Sequence, residues 1–227
     1  MCFSATASFS ASIVLGITGV IAVKKVQLPN QLAFAMIPFL FSIQQLTEGL
    51  VWISLTYKEF AFLQSISIYL FLIIAQIVWP SWVPYSIMSL ENDPKRKKIF
   101  KWIFGIGLLF SLYLTYCFIF FNIQGKISNN HIEYNLDFPP TNNLLWLTAL
   151  FYIVPTVIST FFSSVKRMLI LGMVILLSCV VTRLITLKYF ISIWCFFAAI
   201  ISVLVVIIMK RLEKSTKWSG WLYHLKS

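Results

Sequence analysis

The chain has 227 residues, of which 59% are hydrophobic and only 11% charged, and its mean hydropathy is +0.88. A soluble domain of this length needs far more charge on its surface, so the composition excludes a globular protein in water and makes lipid the solvent. The net charge of +11 reads as membrane topology and attraction to anionic lipid; no nucleic-acid partner is expected.

A helix needs about 20 apolar residues to cross roughly 30 Å of hydrocarbon. Seven stretches qualify: Ser8 to Val23, Leu32 to Thr56, Phe60 to Trp79, Trp102 to Phe121, Asn143 to Phe162, Met168 to Leu187 and Ile191 to Met209. Backbone groups in lipid must be bonded within their own segment, so each is predicted helical. The first stretch has no basic residue before it and Lys24 and Lys25 after it. That is the reverse of a signal peptide, and it is expected to remain as the first span.

The uncharged stretch from Phe60 to Leu90 would be about 46 Å long as one straight helix. A break is expected at Trp79-Pro80 and Trp82-Val83-Pro84, because proline removes a donor and clashes with the preceding turn. Trp79, Trp82 and Tyr85 read either as an interfacial aromatic belt or as part of a kinked helix lining a pathway.

The longest connection, Asn122 to Asn142, follows the fourth span. Asn129 and Asn130 suit a two-residue hairpin turn, and the residues after them alternate polar and apolar. A small hairpin is predicted, with His131, Glu133 and Asp137 on one face and Ile132, Tyr134, Leu136 and Phe138 on the other. Beyond the seventh span, residues 210–227 form a basic tail whose Trp218, Trp221, Leu222 and Tyr223 are expected to lie on the membrane surface. No internal repeat or second domain is evident, so residues 1–227 make one polytopic domain.

Fourteen of the eighteen bases fall on one side of this topology: Lys24, Lys25, Lys95, Arg96, Lys97, Lys98, Lys101, Lys166, Arg167, Lys210, Arg211, Lys214, Lys217 and Lys226. Only Lys58, Lys126, Arg183 and Lys188 fall on the other. By the positive-inside rule the basic side is cytoplasmic. The expected fold is an all-α seven-transmembrane-helix bundle with its N-terminus outside, its C-terminus in the cytoplasm and a small outer hairpin between helices 4 and 5.

Glu48 sits about nine residues inside the second span, where an ionised carboxylate is costly. Gln44, Glu48 and Trp52 share a helical stripe with Gln45 beside them, a face directed into the bundle. Arg183, near the outer end of the sixth span, is placed to reach Glu48; the pair either fixes helix packing or belongs to a ligand, ion or proton site.

Cys2, Cys117, Cys179 and Cys195 map to the outer half without Cys-x-x-Cys spacing, which argues against a thioredoxin-type relay. Cys117 and Cys179 read as core residues, whereas Cys2 and Cys195 lie near the level of Glu48. Cys2, with a free amine if Met1 is removed, and His131 are the candidate metal ligands. His131 and His224 are on opposite sides, so no histidine pair brackets a haem. The seventh span has no lysine for a retinal Schiff base and no histidine pair of the ceramidase type, and no nucleotide-binding glycine loop or nucleophile elbow occurs.

Met1 to Phe9 reads MCFSATASF, Gln44 to Trp52 QQLTEGLVW, Trp79 to Pro84 WPSWVP, His131 to Tyr134 HIEY, and Ile193 to Ala199 IWCFFAA. In these motifs the chain resembles a family of small bacterial and archaeal multi-span proteins, annotated only as a domain of unknown function, that open with this nonapeptide. The resemblance covers essentially the whole chain and implies a cell-membrane location. It marks Cys2, Ser4, Ser8, Gln45, Glu48, Trp52, His131 and Cys195 as signature positions without supplying an activity.

The leading expectation is an outward-facing polar pocket built from Cys2, Ser4, Ser8, Gln44, Gln45, Glu48, Trp52, Arg183 and Cys195. The His131 hairpin would cover it, and it would bind a small ligand or metal ion for transport or sensing. The rivals are an intramembrane enzyme using Cys2 or His131 with Glu48, and a structural or assembly subunit of a membrane complex. Oligomeric state is open.

Overall fold

The computed structural model describes residues 4–128, 131–138, 145–185 and 197–224, except the side chains of 145–146, 183–185 and 215–224. Seven helices are found among them, counting joined segments as one. They are α1 (Ala5–Val23), α2 (Pro29–Thr56), α3 (Lys58–Leu90), α4 (Pro94–Phe120), α5 (Leu145–Thr156), α6 (Met168–Ile185) and α7 (Ala198–His224). The first four are long and apolar enough to cross a membrane; Leu147–Thr156 and Met168–Thr182 are shorter apolar helices. The tail from Lys210 continues α7 as far as His224.

The surface is inverted relative to a soluble protein. Ile13, Val14 and Ile17 of α1 and Leu109, Ile119 and Phe120 of α4 are exposed, while Ser8, Gln44, Gln45, Glu48, Ser67 and Ser202 are buried. Such a molecule is matched to a hydrocarbon solvent.

Ser4 caps α1, its Oγ accepting from the Ala7 N–H at 3.2 Å. From there α1 runs antiparallel to α2 over small residues. Ser12 Oγ donates to Ser42 O at 2.8 Å, and Ser42 Oγ donates to Ser12 O at 2.7 Å. The Phe39 ring lies against Gly19 and the Phe9 ring against Gly49, each so near that an added Cβ would sit 2.8 or 2.7 Å from it. Lipid tails are as apolar as leucine, so close approach and interhelical hydrogen bonds are what hold such helices together.

α3 departs from the expected break. It continues through both prolines to Leu90, and its irregularity lies earlier, as a π turn at Ile73–Val78. Pro80 clashes with the carbonyl four residues before it, that of Gln76, so the helix widens upstream of the proline rather than at it. Side chains from neighbouring helices occupy the loosened carbonyls: Tyr152 donates to Ala75 O and Ser111 to Ile77 O, both at 2.7 Å. Pro84 in turn deprives Pro80 O of its helical donor, and that oxygen faces Gly107 of α4, where an added Cβ would collide with it.

The aromatic-belt reading is corrected here. Trp79 is only 6% exposed, and Trp82 donates to Ala33 O at 3.0 Å. Both rings reach inward to backbone and side-chain acceptors on α2, because a buried indole N–H needs a partner.

The hairpin forms as β1 (Ile123–Ser128) and β2 (His131–Leu136), antiparallel, with Ser128 opposite His131. Asn129 and Asn130, the expected turn, lie outside the described residues. Ile132 is fully buried, and with Tyr134, Leu136 and Phe138 it packs on Trp52, Phe71 and Phe118. Tyr134 stacks on Phe71 with ring centroids 5.1 Å apart. The bases gather at the opposite end, where Lys25 meets Glu213 at 3.6 Å and Arg96 Nη1 donates to Phe162 O at 2.6 Å.

Candidate functional site

The antiparallel register of α1 on α2 decides what surrounds Glu48. From the Ser12 and Ser42 contact, one turn back along α1 reaches Ser8, and along α2 the first turn forward reaches Gln45 and the second Glu48. The Phe9 ring on Gly49 fixes the same level. Glu48 and Ser8 are 0% exposed and Gln45 is 1% exposed. Gln45 Nε2 donates to Glu48 Oε2 at 3.0 Å, which assigns the orientation of the amide.

Three polar atoms on these neighbouring turns are buried without a hydrogen-bond partner: Ser8 Oγ, Gln45 Oε1 and Trp52 Nε1. Ser202 Oγ of α7 is a fourth buried atom of the same kind. Buried polar groups are nearly always bonded in native proteins, and each unmatched one costs stability. Together the three provide an acceptor, a donor and a hydroxyl able to act as either.

Gln44, one turn from Glu48, points elsewhere. Its Oε1 accepts from Trp79 Nε1 at 2.8 Å, a bond that ties α2 to α3 beside the π turn. A cavity of about 70 Å³ adjoins it, lined by Gln44, Gln76, Trp79, Tyr152 and Thr156 among apolar side chains.

Of the residues singled out in the sequence, Gln45 bonds Glu48, Gln44 and Trp52 lie one turn to either side of Glu48 on α2, and Ser8 lies on α1 beside Phe9, whose ring packs on Gly49. Ser4 is a helix cap on exposed backbone. His131 begins β2, and strand alternation sets it on the face opposite Ile132, so Ile132 and Tyr134 make the contact with the Trp52 cluster. Cys2 and Cys195 lie outside the described residues, as does the side chain of Arg183, so an Arg183 to Glu48 pair lies outside them too. Cys117 is buried and Cys179 half-buried, both as free thiols. Among the described residues no group of three or more His, Cys, Asp or Glu is arranged to hold a metal ion.

A second buried carboxylate escaped the sequence reading. Glu91, 1% exposed at the basic end, accepts from Ser163 Oγ at 2.6 Å and from Ser164 N and Ser164 Oγ at 2.7 Å each. The signal available was an acid at the very end of an apolar run, beside the Asp93 cap that accepts from the Lys95 N–H at 2.9 Å.

No curated protein and no solved structure matches the chain. A family model described as "Family of unknown function (DUF6629)" matches residues 1–219, and the chain belongs to that family.

Proposed function

We propose that the chain is a seven-span membrane protein that binds a small polar ligand, for transport or sensing, at the Glu48 site. The observation that carries this is the set of three buried atoms without partners around Glu48. A bound molecule offering both a donor and an acceptor would satisfy Gln45 Oε1, Trp52 Nε1 and Ser8 Oγ together. A bare metal ion would engage Glu48, Gln45 and Ser8 as oxygen ligands but leave the Trp52 N–H unmatched, so the donor set favours the polar molecule.

The N-terminus and hairpin face the outside, and the basic end faces the cytoplasm. This orientation rests on the fourteen bases gathered away from the hairpin. Single cysteines placed at Lys58 and Lys126 should react with a membrane-impermeant thiol reagent in intact cells, and ones at Lys25 and Lys98 only after lysis. The reverse pattern overturns the orientation.

The binding reading is tested by native mass spectrometry and elemental analysis of protein purified in mild detergent, as wild type and as Glu48→Gln and Cys2→Ser. A retained small molecule lost from Glu48→Gln at normal yield and melting temperature supports it. A stoichiometric metal lost from Cys2→Ser would move the site to metal binding. Loss of folding in Glu48→Gln with nothing bound to the wild type would make Glu48 an element of packing.

A further inference from the structure

The cavity beside the π turn of α3 has a lining of unusual economy. Apolar side chains, among them Phe34, Ile37, Phe41, Ile87, Leu171 and Ile175, make most of its wall. Nearly every polar group on that wall is already committed within the protein. Trp79 bonds Gln44, Tyr152 bonds Ala75 O, Thr156 bonds Tyr152 O and Thr160 bonds Val157 O. Gln76 is the exception: no hydrogen bond joins its carboxamide to any described residue.

The π turn explains why the amide is left over. The carbonyls on either side of it, those of Ala75 and Ile77, are tied to Tyr152 and Ser111, which fixes the backbone and directs residue 76 to the cavity wall. π turns recur at functional positions because they displace one side chain from the regular helical track.

The volume selects the ligand. About 70 Å³ is about half the size of a dry cavity that takes benzene. Water would find partners only in the Gln76 amide and the acceptor lone pairs of Tyr152, Thr156 and Thr160, and it would leave the apolar side chains that line the rest of the wall without contacts. A lipid tail has nothing for the amide. We propose that this cavity binds a small neutral molecule of few heavy atoms, an apolar body carrying one hydroxyl or carbonyl, with that group on Gln76 and the body against Ile37, Ile87 and Ile175. The site is separate from that of Glu48, because the Gln44 and Trp79 bond stands between them, and it does not depend on the reading of Glu48.

The test uses the full chain in nanodiscs and ¹⁹F NMR, with 2-fluoroethanol as the probe and fluoroethane as its match without the hydroxyl. Wild type should give a saturable broadening of the fluoroethanol line. Filling the cavity with Ile175→Phe, or with Thr156→Leu where the first variant does not fold, should abolish it. Gln76→Leu should weaken fluoroethanol about tenfold while holding fluoroethane at least as well as wild type does, as expected for loss of one hydrogen bond to a buried group. Glu48→Gln should leave both probes unchanged. Equal broadening in wild type and filled variants would mean partition into lipid only and would overturn the proposal. So would undiminished fluoroethanol binding in Gln76→Leu.

Discussion

Two carboxylates are buried in this molecule, Glu48 near the hairpin end and Glu91 at the basic end, and they are buried in different ways. Glu91 takes three hydrogen bonds from Ser163 and Ser164, and these fasten the chain between α5 and α6 to the end of α3. Glu48 accepts an amide N–H from Gln45, and the buried polar atoms without partners lie on that same Gln45, on Trp52 one turn further along α2 and on Ser8 of α1. A carboxylate whose surroundings are matched is part of the architecture. Spare donors and acceptors beside the other carry a cost in stability, and that cost is what the proposed ligand would relieve.

The contrast breaks first at Glu91. Glu91→Ala should lower stability by about 3–5 kcal/mol, because it strands two hydroxyls and a backbone N–H beside a void. Denaturant titration in detergent micelles reads this, and ligand retention by the folded fraction should be unchanged. A fall near zero would remove Glu91 from the architecture.

Next in size is the contact that lets α3 and α4 approach. Gly107→Val places side-chain atoms where Pro80 O already lies, and overpacking of this kind costs about 1–3 kcal/mol. The same titration should show the loss, and Gly105→Val should not, since an added Cβ there meets nothing within 4 Å.

Gln44→Leu leaves the Trp79 N–H buried without an acceptor, and a loss of about 1–3 kcal/mol is expected. Glu48→Gln sharpens the comparison from the other side. It removes a buried charge while keeping the shape, so stability should stay within about 1 kcal/mol of wild type while ligand retention is lost. Lys126→Ala is the smallest change. Lys126 pairs with Glu133 across the hairpin at 3.6 Å and is 67% exposed, so a shift of only a few tenths of a kcal/mol is expected.

Much of the fold was legible because membrane helices announce themselves by composition, and lipid permits few alternatives. The hairpin was legible for a different reason. The alternation from His131 onward set the faces, down to Ile132 and Tyr134 turned toward the bundle. The course of α3 was only half legible. Pro80 and Pro84 mark the trouble, but a proline's clash is with the carbonyl four residues earlier, and the relief was taken there by side chains of α4 and α5 that no local reading connects to it. The same holds for Trp79, whose burial depended on an acceptor 35 residues away in Gln44.

By itself, then, the sequence determined the apolar helices, the hairpin strands and the burial of Glu48, since each follows from hydropathy, alternation or the helical face that Glu48 shares with Gln44 and Trp52. The tertiary structure alone decided which polar atoms are matched. Matching depends on what a neighbouring helix brings to the same level, and so it was packing that made Glu91 a clasp, left Ser8, Gln45 and Trp52 with capacity to spare, and set Gln76 unbonded against a cavity wall.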